Sequence, residues 1–334
     1  GILGIGLYVF FVNAAGFFIP IKIVFYLVLF LFLALALFAF KKLEPVKWGI
    51  DRKWRKILLG TALFLIVATG IISFRHHMDL SILREPTAAT IAEGNFPPVE
   101  IWNPQYPLSY HYAPDLFSAS VHKVTGVPLY LAYDIQKGVL MGVLFLLGFI
   151  LIKRFSNSDF KAFTASLLML YAGTLVFLKG LNGIPILYNK YILGQDIPGA
   201  FKFVSDAIEI GYASPVIRFV SGLHWGAMAF PLIIVIIYLY FHLNNWEARE
   251  KIILPICGFL LALLALVSEP YFVVLGSILF VYPLIFGFVK RDWERAKKFL
   301  FTSFFILLIA LPTAFLQGGL LKNAFAQQFN LVSD

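Results

Sequence analysis

The side chains able to do chemistry gather in two stretches, 75–136 and 179–224, with one outlier at Glu269. Asp79 follows the end of a long apolar run by five residues, so its carboxylate is expected close to a membrane surface. Tyr110, His111 and Tyr112 are consecutive, and offer ring faces for stacking beside groups that donate and accept hydrogen bonds. Asp115 stands at the expected start of a helix, where a carboxylate suits the positive end of the helix dipole. Arg218 lies seven residues before the next long apolar run, and a guanidinium there can grip a phosphate through two parallel hydrogen bonds. His224 opens that run, beside Trp225. Glu269 occupies the short turn Ser268–Glu269–Pro270 between two apolar runs, where a carboxylate is costly unless exposed or paired. The chemistry within reach is proton transfer at a carboxylate, anion binding and ring stacking. No metal or phosphate-cradling signature of fixed spacing is present; His111 and Asp115 are four apart, but Pro114 interrupts a helix across them.

Composition dictates what must position these groups. Of 334 residues, 60% are hydrophobic and only 13% charged, against about 25% charged in soluble domains. A soluble core cannot absorb that much apolar surface. The apolar runs are long and continuous, which excludes an outer-membrane barrel with its alternating strands. The chain therefore predicts an all-α polytopic membrane protein. Runs of spanning length fall at 1–19, 21–40, 57–74, 137–152, 162–178, 225–243, 252–268, 270–289 and 299–317, about nine helices. The fourth is short, and its helix is expected to begin earlier, near Pro128.

The net charge of +9 is mostly a topology signal. Seventeen of the 27 Lys and Arg residues lie in four short connections, 41–56, 153–161, 244–251 and 290–298. The positive-inside rule places these in the cytoplasm and the two long loops, 75–136 and 179–224, on the outer face of a plasma (inner) membrane, periplasmic or extracellular. Membrane lipids are the natural partner of the basic loops, and nucleic acid is excluded as a partner. Every charge is expected in a loop or at a helix end, none deep in a span. The single Cys257 rules out a disulfide within the chain. The chain reads as one membrane domain over 1–334, expected to be a fragment of a longer protein because it opens without Met in mid-run and stops after Asp334. Within it, 1–56 supply two N-terminal spans and a basic loop, 57–152 a unit built around the loop 75–136, and 153–334 the remaining spans with the loop 179–224.

The first long loop carries its own local order. Pro86 suits the first position of a short helix and Gly94 the position just past its end. The segment NFPPVEIWNPQYP is expected to be extended with turns. A second short helix starts at Pro114; Leu116, Phe117, Ser120, Val121 and Val124 share one face, with Asp115, Ser118 and His122 opposite. That pattern predicts an amphipathic interfacial helix lying on the bilayer or on the top of the bundle.

This arrangement resembles the GT-C superfamily of integral-membrane glycosyltransferases, which use polyprenyl-phosphate-linked sugars. The matching elements are a span ending outside, Asp79 just after it, and a short helix leading into Gly94–Asn95–Phe96–Pro97–Pro98. The stretch Tyr106–Pro107–Leu108–Ser109–Tyr110–His111–Tyr112 follows, then Asp115–Leu116 and a helix ending in Thr125–Gly126. It is similar to protein mannosyltransferase-like and aminoarabinose transferase-like enzymes, and closest to uncharacterised bacterial GT-C-like proteins. The likeness covers 57–152; two spans precede the span that would be the family's first, and Asp79 stands without a second acid beside it.

The resemblance implies a transferase moving a sugar from a polyprenyl-phosphate lipid to an acceptor. Asp79 is then the expected catalytic base, and Tyr110, His111, Tyr112, Asp115, Arg218, His224 and Glu269 the expected substrate-binding groups. A divalent metal ion held by Asp79 with outer-loop oxygens would suit a phosphate leaving group. A second reading is a non-catalytic GT-C-derived subunit of a larger complex, meeting membrane-protein partners through the outer loops. A third, a lipid or solute transporter, is weakest without intramembrane charge or internal repeat.

Overall fold

The computed structural model of the chain describes residues 2–42, 49–74, 84–106, 108, 111–156, 158–171, 224–243 and 250–317. Among them are eleven helices and no strand: α1 (Ile2–Gly16), α2 (Ile21–Lys42), α3 (Arg52–Phe74), α4 (Arg84–Ala92), α5 (Ala113–Thr125), α6 (Leu129–Phe155), α7 (Asp159–Tyr171), α8 (His224–His242), α9 (Glu250–Val267), α10 (Glu269–Lys290) and α11 (Trp293–Leu316). Five helices, α2, α3, α6, α10 and α11, are long and apolar enough to cross a membrane; α1, α8 and α9 contribute shorter apolar helices. The chain is a helical membrane protein. A helix lies in each of the nine apolar runs; among the described residues, five of these helices qualify as spans by length and apolarity.

The helices form two compact units. One draws on Gly1–Gly49, Leu80–Gln136 and Met228–Asp334, the other on Ile50–Asp79 and Lys137–Ala227.

In the first unit α9 is the central rod. Leu260 to Leu264 and Val267 are almost wholly buried, and α9 packs on α1, α5, α10 and α11. Gly258 permits this closeness on one side: a Cβ there would stand 2.7 Å from the Ile309 side chain of α11. Prolines 231, 255, 283 and 312 sit inside α8, α9, α10 and α11, a pattern tolerated in apolar helices whose neighbours and hydroxyl side chains re-satisfy the freed backbone. One such hydroxyl, Ser303 of α11, donates 2.6 Å to the Leu279 carbonyl of α10. Tyr240 of α8 lies 3.0 Å from the same hydroxyl. Outward, α2, α10 and α11 expose long stripes of Leu, Ile, Val and Phe, the surface that a bilayer covers.

In the second unit α3, α7 and the greater part of α6 pack together. Gly138 and Gly142 of α6 lie against α3, where added Cβ atoms would meet the Ile66 carbonyl oxygen and side chain at 2.6 Å. Trp54 of α3 packs on Phe160 and Phe163 of α7. The turn between α6 and α7 is closed by a 2.7 Å ion pair, Lys153 to Asp159.

Two sequence expectations are corrected here. The helix α6 begins at Leu129, as the short fourth run suggested, and therefore carries Asp134, Gln136 and Lys137 inside it, all buried. Charge is thus not confined to loops and helix ends. The reason is length: 27 residues make a rod of about 40 Å, some 10 Å longer than the hydrocarbon core, so its first turns can hold polar groups packed against protein. The second correction concerns α5. Leu116 and Ser120 of its apolar face are buried, but so are Asp115 and Ser118 of its polar face, while 121–124 are only partly covered. The first half of α5 is interior, because Arg84 and Tyr133 satisfy Asp115, as described below, and Ser118 donates to Gln136 Oε1 of α6.

Candidate functional site

The segment between α3 and α6 builds its own framework in the first unit. α4 ends where Gly94 turns left-handed, φ 105°, with the Gly94 and Asn95 amides hydrogen-bonded back to Ile91 and Thr90 carbonyls. A side chain at Gly94 would face both this unfavourable φ and the Lys22 stem, 3.0 Å from a Cβ. The chain 95–106 runs through bends and a turn, and Leu108 N–H returns to the Pro98 carbonyl at 2.9 Å. α5 then starts with Pro114 in its first turn and stops at Gly126, φ 75°, whose amide bonds the His122 carbonyl.

Charges lock α4 to α5. Arg84 Nη1 donates to Asp115 Oδ2 at 2.8 Å and to the His111 carbonyl at 2.7 Å. The other carboxylate oxygen, Oδ1, accepts from the Tyr133 hydroxyl of α6 at 2.7 Å. That hydroxyl also reaches the Arg84 carbonyl at 3.0 Å, so one proton is shared between two acceptors. Asp115 is 1% exposed. Burial pushes its carboxyl above the ordinary value, while Arg84 and Tyr133 pull it back toward the ionised form.

Three residues before Asp115, Tyr112 ties the entry of α5 to two other helices. Its hydroxyl donates to Asn13 Oδ1 of α1 at 2.8 Å and lies 3.1 Å from the Gln317 carbonyl after α11. Asn13 Nδ2 donates to that same carbonyl. Burial pushes the Tyr112 phenol well up, so it stays a donor at any working pH. Its ring meets Phe96 edge-on.

His111 is the candidate least absorbed by the framework. Its Nδ1 lies 3.3 Å from Glu269 Oε2, the first residue of α10. Glu269 is placed by the one-residue connection Ser268 between α9 and α10. Its other oxygen, Oε1, is buried without a hydrogen-bond partner among the described residues. A carboxylate beside an imidazole fixes which ring nitrogen carries the proton and can exchange that proton with it.

Of the residues singled out from sequence, His111, Tyr112, Asp115 and Glu269 therefore come together in one unit. Tyr112 and Asp115 are closed off, with their polar atoms engaged by the protein; neither presents a face for stacking or an acceptor for a ligand. Asp79, Tyr110 and Arg218 lie outside the described residues, and His224 is the first residue of α8. Among the described residues no group of three His, Cys, Asp or Glu side chains could hold a metal ion. Sequence reasoning missed Arg84, Tyr133, Asn13 and Gln317. The available signals were an Asn inside the apolar run of α1 and the polar set Tyr133, Asp134, Gln136, Lys137 at the start of another run. No family model, characterised protein or solved structure matches this chain.

Proposed function

We propose that this protein is a GT-C-like membrane glycosyltransferase that moves a sugar from a polyprenyl-phosphate donor to an acceptor on the outer face of the plasma membrane. In this reading the nine apolar helices all span, the four basic connections are cytoplasmic, and 75–136 and 179–224 face outward. The observation that carries it is the His111–Glu269 pair: two ionisable groups 158 residues apart, in contact at 3.3 Å, beside the two short helices that the family resemblance requires. Asp79 takes the proton of the acceptor hydroxyl, the acceptor oxygen bonds to the anomeric carbon, and the bond from that carbon to the phosphate breaks. The leaving phosphate takes the electron pair, held by Arg218. His111, with its proton set by Glu269, contacts the polar part of the substrate, and His224 and Tyr110 complete the binding set. The described residues alone do not make a metal site, since Asp115 is held by Arg84 and Tyr133.

The test is sugar transfer in vesicles from a polyprenyl-phosphate donor. Asp79→Asn abolishes transfer while expression and thermal stability stay at the level of the unmodified protein. Unchanged transfer removes Asp79 from the base role.

A second reading, a non-catalytic subunit of a membrane complex, draws on the closure of Tyr112 and Asp115. Two of the five described candidates serve the fold, and neither described acid is open to solvent. Co-purification in fixed stoichiometry with another membrane protein, together with no transfer by the isolated chain, selects it.

A further inference from the structure

The return loop between α4 and α5 ends in a tip of unusual make-up. Residues 101–106, IWNPQY, carry no charge, and 102–106 are all exposed. Trp102 is 72% exposed and Tyr106 59%. The tip is held in shape by backbone bonds from Tyr106 N–H to the Asn103 carbonyl and from Glu100 N–H to the Tyr106 carbonyl, both 3.0 Å. An ordered tip that holds two amphipathic rings away from the rest of the protein needs a medium that suits them.

Its root lies at the membrane boundary. α2 is long and apolar enough to cross a bilayer, and its lipid-facing stripe begins at Ile23, just after Lys22. Lys22 is in turn 3.2 Å from Glu93 at the end of α4. Phe96, where the loop leaves α4, packs on Phe17 at the end of α1, ring centroids 5.3 Å apart. Between Phe17 and α2 stands Phe18, 88% exposed. The loop is therefore rooted at the corner between α1 and α2, where the lipid-facing stripe of α2 begins.

We propose that residues 101–106 seat Trp102 and Tyr106 in the headgroup layer of the bilayer, at the level of Phe18, and so moor the α4–α5 segment to the membrane. The chemistry fits. Indole and phenol rings favour that layer because one edge is apolar and the other makes hydrogen bonds to water and esters. The absence of charge from 101–106 removes the penalty that a buried Lys or Asp would carry. Asn103 and Gln105 remain neutral donors and acceptors for the headgroups.

The mooring does not depend on the glycosyltransferase reading, and its test reads position, not activity. Trp102, Tyr106 and Phe18 are each replaced by Cys in the full chain; the native Cys257 is buried. Each variant is nitroxide-labelled in vesicles of phosphatidylcholine with phosphatidylglycerol. Collision rates with oxygen and with a water-soluble nickel chelate are then compared. At 102, 106 and 18 the oxygen-to-nickel ratio should exceed that of the free label in buffer severalfold. A ratio at 102 and 106 equal to that of free label overturns the proposal by placing the tip in water. Protection from both reagents also overturns it, in favour of a protein partner or a second copy. As a check that does not rely on labelling, lipid brominated near the headgroup should quench less fluorescence in Trp102→Phe than in the unmodified protein. Equal quenching counts against the mooring.

Discussion

Arg84 and Asp115 face each other at 2.8 Å, with their side chains 10% and 1% exposed, and so join the first residue of α4 to the first turn of α5. Such a pair contributes little against an apolar replacement of both partners, yet breaking one side strands a charge. Asp115→Ala should destabilise the protein by about 3–5 kcal/mol, because Arg84 keeps its charge at every pH. Arg84→Met should cost less, since burial already favours a protonated Asp115 and the carboxyl can turn neutral. Thermal unfolding in detergent micelles of the two single variants measures the difference; equal losses would refute the asymmetry.

Tyr112→Phe keeps the buried ring and removes only the hydroxyl. Asn13 Oδ1 then loses a donor in a buried setting. The expected cost is about 1–3 kcal/mol, read as a lower unfolding midpoint. If transfer activity can be assayed, it should fall only in proportion to folded protein, because Tyr112 is closed to substrate.

Glycine contacts separate packing from propensity. At Gly138 an added methyl would stand 2.6 Å from the Ile66 carbonyl oxygen, so α3 and α6 must part; Gly138→Ala should destabilise by about 1–3 kcal/mol. Gly60, in the middle of α3, has open space around the same position. Gly60→Ala should be neutral or stabilise by about 0.5–1 kcal/mol. The opposite order of the two variants would overturn this account of α3–α6 packing.

Acid should loosen one exposed clasp. Hydrogen bonding to Lys22, and then the charges of Lys123 and Lys22, hold Glu93 below its ordinary carboxylate value of 4.5. A depressed folded value adds stability above the unfolded value and loses it as pH falls through the folded one. The acid arm of the stability profile, from about pH 4.5 downward, should therefore flatten in Glu93→Gln. The effect is small because Glu93 is solvated.

His111 and Glu269 test the candidate site itself. If the pair contacts substrate, Glu269→Gln should lower transfer about 10-fold or more, the scale expected for a misplaced acid–base partner, with a changed pH profile. Glu269→Ala that lowers stability and leaves transfer per folded molecule untouched would make the pair a brace between α5 and α10.

The helices themselves were legible because long apolar runs admit little else. Pro86, Gly94, Pro114 and Gly126 also marked α4 and α5 to within about two residues, through fixed φ at proline and left-handed freedom at glycine. What did not read through was the side of α5 that faces inward. A helical wheel sorts Asp115, Ser118 and His122 as a wet face, because it knows nothing of Arg84, Tyr133 or Gln136 arriving from elsewhere. Nor did the wheel reveal that Tyr112 spends its hydroxyl on Asn13, 99 positions away. Contacts inside 84–136 follow from neighbouring sequence; those reaching α1, α10 and α11 depend on how the bundle closes.

That division has a consequence for the order of assembly during synthesis. Asp115 finds Arg84 at a separation of 31 residues and Tyr133 at 18, so α4, α5 and the start of α6 can cross-brace as soon as they emerge. Glu269 is made 158 residues after His111. The brace of Arg84, Asp115 and Tyr133 can therefore be set while the ribosome is still producing the helix whose Glu269 will meet His111.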